Sequence, residues 1–304
     1  MKAVGIMKHG GPEALEILEV DEVEAGPGQI RIRNFAAAVN PVDVSVRNGS
    51  MAEMQKINPP PYVPGMDAAG IIDQIGEGVQ TDLKEGDSVM AMVVPNGNHG
   101  AYREQIVLDQ NAVVRAPKDS SHIQASTLPM NSLTARLSLD LLDLQKGQVL
   151  AVTGAPGAYG GYVVQLAKED GLIVIADSND NDRALLESLG VDIIIPRGEG
   201  FAENIRKEFP EGVDGIADGA LLNEQAIAAV KDGGSFTSVR GFKGEPQRDI
   251  NFTATWVTAH DCKKDILEKL KLQAEEEIIS LRVNQAVSID KASLAHETLE
   301  AGGS

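Results

Sequence analysis

The sequence predicts an α/β protein in which a β-rich domain is followed by a doubly wound parallel sheet. Up to residue 118, short segments alternate apolar with polar residues and are separated by glycine turns, which is typical of antiparallel strands. After residue 118 the apolar runs become continuous, as in strands that helices cover on both faces. Helical patterns separate those runs, and right-handed strand–helix–strand crossovers then produce a parallel sheet.

The β-rich part is defined by its alternating segments and by the turns between them. Alternation runs over residues 15–20 and 30–35, and shorter apolar segments lie at 70–72, 89–93 and 106–108. Glycine turns at 26–28 and 76–78 separate some of these segments. We therefore predict a partly open barrel over residues 1–118.

The second part is a series of buried strands and helices. Its continuous apolar runs lie at 149–152, 173–176, 193–195, 213–217 and 235–239, and its helical patterns lie at 162–168, 183–189, 202–209 and 224–230. This series predicts a parallel-sheet domain over residues 119–247. Residues 248–304 leave the pattern, and an amphipathic helix is predicted from Cys262 to Glu277.

The composition argues against several classes of partner. A net charge of −18 does not suit nucleic acid, whose phosphates need basic groups, or an anionic membrane surface. No apolar run reaches membrane-spanning length, and the N-terminal stretch Met1–His9 meets a charge too soon to be a signal peptide. Cys262 is the single cysteine, which excludes an intrachain disulfide. We therefore expect a cytoplasmic protein with no nucleic-acid or membrane partner.

A glycine-rich turn follows the first buried strand of the second part and opens a helix. Its spacing is Ala-x-Gly-x-x-Gly, close to that of a dinucleotide-binding turn. Gly157 lets the backbone approach a pyrophosphate, and Gly160 lets the helix pack closely on the sheet. The alternative is an ordinary strand–helix turn. The predicted cofactor contacts are Gly154, Ala155, Gly157, Ala158, Tyr159 and Gly160.

Possible metal ligands are scattered along the chain. One cysteine and five histidines, none of them paired at helical ligand spacing, do not assemble a common zinc site. His99 lies in a glycine-containing loop and is the histidine best placed for acid–base chemistry, with a solvated loop histidine as the alternative. We therefore predict no metal.

Several further motifs fall in one order along the chain. They are Asn40-Pro41-Val42-Asp43 with Arg47 and Gly49, Pro64–Gly70, Leu133-Thr134-Ala135, the Gly154–Gly161 turn, and Val213–Gly219. Together they resemble the quinone oxidoreductase branch of the medium-chain dehydrogenases/reductases over essentially the whole chain. The resemblance implies a GroES-like catalytic domain, a Rossmann cofactor domain and a return segment, 248–304, that completes both, with the active site in the cleft between the domains.

The resemblance also bears on the metal and on the proton donor. Zinc-dependent relatives carry Cys-His-x-Asp and Gly-His-Glu ligand stretches, and the matching stretches here are Asn40-Pro41-Val42-Asp43 and Gly65-Met66-Asp67. Many members of the branch place a tyrosine soon after the first stretch as a candidate proton donor. Here that tyrosine is missing, and Tyr62 is the nearest. The sequence ends at Ser304, where the family usually adds a short closing strand.

The activity implied by the resemblance is hydride transfer from NADH or NADPH to a quinone or an α,β-unsaturated carbonyl. Asn40 and Thr134 are expected to position the nicotinamide or the substrate. Arg47 either steadies a developing oxyanion or is an exposed arginine paired with the acidic surface. Asp43 is favoured as a structural hydrogen-bond acceptor over a general base. A small carbonyl substrate and a homodimeric partner are implied.

Two other functions remain open from the sequence. The same fold serves a non-catalytic dinucleotide-binding sensor or structural protein, a hypothesis that the missing tyrosine favours. The other is a dehydrogenase of simple alcohols, which the loss of the zinc ligands disfavours.

The choice of nicotinamide cofactor depends on the end of the second buried strand. Asp177 lies there, 23 residues after Gly154, where a carboxylate accepts hydrogen bonds from the adenosine ribose of NAD. Ser178 and Asp218 are further predicted contacts, and Arg183 is the only close cation in the sequence. We favour NADH. The alternatives are that Asp177 caps the next helix, or that Arg183 binds the 2′-phosphate of NADPH, which many family members use.

Overall fold

The structure is a computed structural model that describes residues 1–55, 58–198 and 200–302. Its strands are β1 (Lys2–Gly5), β2 (Glu16–Glu19), β3 (Gln29–Ala36), β4 (Asp67–Ile75), β5 (Ser88–Met92), β6 (Gln105–Asp109), β7 (Val113–Arg115), β8 (Val149–Thr153), β9 (Ile173–Ser178), β10 (Ile193–Pro196), β11 (Val213–Asp218), β12 (Val230–Val239) and β13 (Asn251–Thr255). Its α-helices are α1 (Pro41–Asn48), α2 (Ala52–Gln55), α3 (His122–Ala125), α4 (Pro129–Leu142), α5 (Ala158–Glu169), α6 (Arg183–Ser188), α7 (Phe201–Glu208), α8 (Glu224–Ile227), α9 (Lys264–Glu275) and α10 (Ala292–Glu300).

The chain divides into two compact units. The β-rich unit comprises Met1–Met130, His260–Glu275 and Leu281–Ser304, and the parallel-sheet unit comprises Asn131–Ala259 and Glu276–Ser280. The first boundary lies at Met130 and not at residue 118, because α3 packs on β3, β4 and β5 of the β-rich unit. Within the described residues, no helix combines the length and the apolar character needed to cross a bilayer.

The β-rich unit contains an antiparallel sheet in the order β6-β3-β4-β5-β7, with β1 and β2 forming a separate antiparallel pair. Alternation along β3 is confirmed, since Ile30 and Ile32 are fully buried in the core beside Ile72 and Ile106. The alternation ends before Phe35, which is 55% exposed. Its ring stacks on His122 at a centroid distance of 5.1 Å.

The parallel-sheet unit contains a parallel sheet in the order β10-β9-β8-β11-β12-β13. Its strands carry the continuous apolar runs because both faces are covered, and one face buries Phe201 and Ile205 of α7 against Ile216 and Phe236. The order confirms the predicted Rossmann-like α/β architecture. The connections reverse direction between β8 and β11, and ligands of such sheets bind outside the carboxyl ends of the strands at that point.

One predicted helix is shorter than expected. The pattern at 224–230 forms a helix only as far as Ile227, and Val230 already pairs with Val213 as the first residue of β12. Buried Ala226, Ile227, Ala229 and Val230 satisfy a helical or a strand pattern equally well. The strand prevails because its backbone groups find partners in β11.

Candidate cofactor and active-site residues

The glycine turn of the parallel-sheet unit begins at the carboxyl end of β8. Gly154 has φ +67°, a left-handed conformation that favours glycine. Gly157 is the N-cap of α5, and a methyl group built there would meet only the Gly154 carbonyl oxygen, at 3.2 Å. A methyl group on Gly160 would lie 2.3 Å from the same oxygen and 2.6 Å from the Ala155 Cα atom. Gly157 therefore leaves space at the helix N-terminus, and Gly160 brings the helix against the turn.

The other residues of the turn differ in exposure. Ala155 is fully buried, so only its backbone is available to a ligand, whereas Ala158 is exposed. The ring of Tyr159 lies against Gly219, because a methyl group there would come within 2.7 Å of the ring. The Tyr159 hydroxyl donates to Ser138 Oγ at 2.8 Å, and burial raises the pKa of Tyr159.

A row of buried hydroxyl groups continues from that tyrosine. Ser138 Oγ lies 2.9 Å from Thr255 Oγ1, which lies 2.8 Å from Thr237 Oγ1. Ser138 Oγ also contacts the carbonyl oxygen of Thr134 at 3.0 Å, one helical turn earlier in α4. Thr134, a candidate catalytic residue, is itself 7% exposed. These hydrogen bonds thus connect α4, which contains Thr134, to the ends of β12 and β13 and to the first turn of α5.

Asp177 and Ser178 end β9, and both are buried. Asp177 Oδ1 accepts the Gly154 N–H at 3.3 Å, so the carboxylate lies at the glycine turn. Asp177 does not cap the next helix, because the N-cap of α6 is Asp182. That alternative is wrong.

The cation at this carboxylate was not singled out by the sequence. Arg197 Nε donates to Asp177 Oδ2 at 3.1 Å, and Arg197 Nη1 lies 3.5 Å from Asp182. The expectation that Arg183 is the only close cation is therefore wrong, since Arg183 lies 3.8 Å from Glu187 on its own helix. Arg197 directly follows β10, and β9 and β10 are parallel neighbours whose carboxyl ends lie together. The predicted order of parallel strands could therefore have indicated that Arg197 lies near Asp177.

Asp218 organises the loop after β11. Its fully buried carboxylate accepts from Thr153 Oγ1 at 2.5 Å, from Leu222 N at 3.1 Å and from Asn223 N at 2.8 Å. The N–H of Ala220 donates to Thr153 Oγ1 at 2.9 Å. These contacts connect the end of β8 with the loop after β11, so the Asp218 carboxylate fixes the conformation of that loop.

A second group of candidate residues lies in the β-rich unit, at the start of α1. Asn40 is its N-cap, and the Asn40 N–H donates to Asp43 Oδ2 at 2.8 Å. Gly65 N donates to Asp43 Oδ1 at 2.9 Å, and the Tyr102 hydroxyl donates to Asp43 Oδ2 at 3.3 Å. Asp43 is thus the structural acceptor that the sequence favoured.

Asp67, at the start of β4, binds the side-chain amide of Asn40, whereas Asp43 binds its backbone N–H. Asp67 Oδ2 accepts from Asn40 Nδ2 at 2.7 Å, and Asp67 Oδ1 accepts from Met130 N in the first turn of α4, also at 2.7 Å. Asp43 and Asp67 are both fully buried. Burial, only partly offset by these hydrogen bonds, raises the pKa of each to about 7.

We predict that Asp43 and Asp67 titrate near pH 7 in the folded protein, far above the range of exposed aspartates. A carboxyl group with a raised pKa makes the folded state bind more protons than the unfolded chain. These two groups therefore favour folding most at about pH 4 and below, and progressively less as the pH rises towards 7. Carboxyl carbon chemical shifts, assigned with Asp43→Asn and Asp67→Asn, measure both midpoints. Midpoints at about 4 for both groups would contradict the prediction.

Arg47 is buried, with 1% of its surface exposed, so the expectation of an exposed arginine is wrong. Its Nη2 donates to Glu300 Oε1 at 2.7 Å, so it does pair with an acidic side chain. The fully buried His296 of α10 places Nε2 3.3 Å from the Tyr102 hydroxyl. Burial, with the positive charge of Arg47, lowers the pKa of His296 to about 4. The structure does not test whether Arg47 steadies an oxyanion.

Tyr62 and His99, the two candidates for proton transfer, lie in surroundings that do not suit acid–base chemistry. The Tyr62 hydroxyl donates to the Asn58 carbonyl at 3.1 Å, and its ring stacks on His9 at 5.4 Å. His99 exchanges backbone hydrogen bonds with Asn96, and burial lowers the pKa of the His99 imidazole. Tyr62 is therefore a packing residue, and His99 is a partly buried loop residue.

Comparisons with known proteins agree with this arrangement. Residues 26–118 match the alcohol dehydrogenase GroES-like domain. The chain is 31% identical over 280 residues to an NADPH-dependent alkenal/one oxidoreductase of Arabidopsis thaliana, covering 89% of this chain and 68% of that one. It is 27% identical to a quinone oxidoreductase of Sus scrofa, covering 98% and 94%.

A solved structure extends the likeness to the whole fold. The quinone oxidoreductase of Coxiella burnetii superposes with a TM-score of 0.89 at 26% identity, covering 100% of this chain and 96% of that one. The ordered motifs, the two units and these relatives lead to one assignment. The chain belongs to the quinone oxidoreductase branch of the medium-chain dehydrogenases/reductases.

Proposed function

We propose that this chain is a zinc-independent reductase that transfers hydride from NAD(P)H to a quinone or an α,β-unsaturated carbonyl. The observation that carries the proposal is the hydrogen bond between Asn40 and Asp67. These residues lie in the two stretches that supply metal ligands in zinc-dependent relatives, and here they bind each other. An acceptor that delocalises the charge left by the hydride needs little electrophilic help, and quinones and enones are such acceptors. The names of the Arabidopsis and pig relatives support this substrate class.

The glycine turn fits a dinucleotide cofactor. The positive potential of a helix N-terminus suits a pyrophosphate, and the space at Gly157 admits one. A nicotinamide cofactor bound there supplies the hydride. Among the predicted contacts, Gly154, Gly157 and Ala158 line the space for the phosphates, and Asp177 accepts from the adenosine ribose. Ala155, Gly160 and Asp218 set the shape of the turn.

We assign the remaining roles to three side chains. Asn40 orients the nicotinamide or the substrate carbonyl through its amide, and Thr134 orients the same groups through its hydroxyl. Arg47 contributes positive potential towards the developing oxyanion from its buried position. Water provides the proton that follows the hydride. Catalysis then depends mainly on proximity and on a few oriented dipoles.

A direct assay tests this function. The absorbance of reduced nicotinamide is followed with a panel of quinones, enones and simple aldehydes. Turnover of quinones or enones without turnover of aldehydes supports the proposal. Tight cofactor binding without any turnover would support the non-catalytic sensor, which the packing role of Tyr62 favours. Turnover of simple aldehydes alone would support an alcohol dehydrogenase.

We further propose that NADH is preferred over NADPH, although the Arabidopsis relative is named NADPH-dependent. The support is the Asp177 carboxylate, which Gly154 N–H and Arg197 fix at the end of β9. A carboxylate there accepts from the ribose hydroxyls and repels a 2′-phosphate. Screening near the surface limits that repulsion.

The preference is tested with Asp177→Ser and a matched control, Asp182→Ser. Each variant removes one carboxylate from Arg197, but only Asp177 ends β9. We expect Asp177→Ser to lower the ratio of kcat/KM for NADH to that for NADPH by about tenfold, or about 1.4 kcal/mol. Asp182→Ser should leave the ratio within about twofold of the original. An unmodified protein that uses NADPH equally well would contradict the preference.

We predict that the purified protein contains no stoichiometric zinc and that a chelator leaves its activity unchanged. The stretches that match zinc ligands hold Asn40, Met66 and Asp67, and all three residues are buried. Elemental analysis measures the metal content, with a zinc-dependent alcohol dehydrogenase as the positive control. One tightly held zinc ion per chain would contradict the prediction.

We also propose that the protein works in the cytoplasm as a homodimer. The family supports the dimer, and β13 at the edge of the parallel sheet offers backbone groups for pairing with a second copy. The acidic surface and the single cysteine support the compartment. Light scattering of the purified protein measures the oligomeric state.

A further inference from the structure

Asp67 is a buried carboxylate to which the proposed function assigns no role in hydride transfer. Its exposed fraction is 0%. Its two oxygens accept from different elements, one from the backbone of Met130 at the start of α4 and one from the side chain of Asn40 at the start of α1. Removing a carboxylate from water is costly, and these two donors compensate only partly for the lost hydration, so the Asp67 pKa rises to about 7 and the group is ionised above that pH.

The contact with Asn40 determines the orientation of that amide. A side-chain amide has an accepting end and a donating end, whereas an ionised carboxylate can only accept. Asp67 Oδ2 therefore holds the Nδ2 end of Asn40, at 2.7 Å. The backbone N–H of Asn40 is held separately by Asp43, at 2.8 Å. Two acidic residues thus fix the position and the orientation of one amide.

We propose that Asp67 is a positioning residue, which holds the Asn40 amide in the one orientation that serves hydride transfer. The inference rests on the proposed function, in which Asn40 acts on the nicotinamide or the substrate. A neutral amide at position 67 would also fill the space, but it offers both a donor and an acceptor, so it permits Asn40 to turn over. Above the Asp67 pKa of about 7, the negative charge of the carboxylate excludes that second orientation.

The test compares Asp67→Asn, Asn40→Asp and the double variant in which the two residues are exchanged. All three keep the volumes of the side chains. In Asp67→Asn, the new residue can still accept from Met130 N, but its amino group then faces Nδ2 of Asn40. Asn40 turns over to avoid this contact. In the exchanged pair, one amide again meets one carboxylate, with the donor and the acceptor reversed.

Four quantities are measured for each variant at about pH 8.5, where Asp67 is ionised: kcat and KM for a quinone or enone, the Kd for the reduced cofactor from its fluorescence, and the free energy of unfolding. We expect Asp67→Asn to lower kcat about thirtyfold and to change the Kd less than about threefold. The exchanged pair should recover the free energy of unfolding of the unmodified protein but not its kcat. If the Asn40–Asp67 pair as a whole were purely structural, the exchange would restore both, and that result would overturn the inference.

A readout independent of turnover separates this inference from the proposed function. In protein labelled with ¹⁵N-asparagine, the Asn40 side-chain amide is assigned by its loss in Asn40→Asp. One of its protons should exchange slowly with solvent in the unmodified protein and at least about tenfold faster in Asp67→Asn. Unchanged exchange, or unchanged kcat in an active enzyme, would refute the role of Asp67 alone. An unmodified protein that shows the slow proton but reduces no quinone or enone would refute the proposed function, and the positioning for hydride transfer with it.

Discussion

Replacing Gly157 by Val is expected to abolish dinucleotide binding while the protein stays folded. A side chain at this N-cap would enter the space that the pyrophosphate needs, because the only atom within 4 Å of an added methyl group is the Gly154 carbonyl oxygen, at 3.2 Å. We expect the Kd for the cofactor to rise at least about a hundredfold, or about 3 kcal/mol. Titration of nicotinamide fluorescence measures it.

The stability of that variant should change little. Gly157 has φ −68° and ψ 173°, an extended conformation that valine adopts readily, so the loss of a good N-cap residue should cost only about 1 kcal/mol. Gly160→Val is the matched control, because its methyl groups would overlap the Gly154 carbonyl and the Ala155 backbone. We expect that variant to unfold. Unchanged cofactor affinity in well-folded Gly157→Val would mean that the phosphates bind elsewhere.

Replacing Asp218 by Ala is expected to destabilise the parallel-sheet unit strongly. The change leaves the Thr153 hydroxyl and the N–H groups of Leu222 and Asn223 without their acceptor, in a place where the carboxylate is fully buried. Each buried donor that loses its partner costs about 1–3 kcal/mol, so we expect a loss of about 3 kcal/mol or more. Denaturant unfolding measures the loss.

The Asp218 variant also separates two ways in which this residue can serve the cofactor. If it only shapes the loop, then Asp218→Asn, which keeps one acceptor oxygen, should recover part of the stability and part of the affinity together. Asp232→Ala removes a carboxylate that is 79% exposed and should change neither quantity. Full stability with lost affinity in Asp218→Ala would instead show that the carboxylate binds the cofactor directly.

The fold was largely predictable because its signals are local. Continuous apolar runs define β8, β9 and β11, and the glycine turn has a spacing that few other structures require. The helix predicted over 224–230 was too long, because the pairing of Val230 with Val213 depends on a neighbouring strand. Periodicity within one segment contains no information about such a partner.

The site was less predictable, because its contacts join distant parts of the chain. Arg47 would normally be exposed, but it is buried beside Glu300, 253 residues further on. The carboxylate of Asp67 reaches Met130 over 63 residues, and Arg197 reaches Asp177 over 20. Residue types identified Asn40, Asp43 and Asp177 as candidates, but only the tertiary fold shows which groups hold them in place.

The segmented make-up of the β-rich unit has a consequence for its folding during synthesis. The parallel-sheet unit is almost continuous in sequence, from Asn131 to Ala259 with only Glu276–Ser280 added. The first segment of the β-rich unit, Met1–Met130, is synthesised first. The unit is complete only when His260–Glu275 and Leu281–Ser304 have been added. Until α10 leaves the ribosome, Arg47 lacks Glu300 and Tyr102 lacks His296. We therefore expect the part of the chain that is translated in the middle to reach its native state before the part that is translated first.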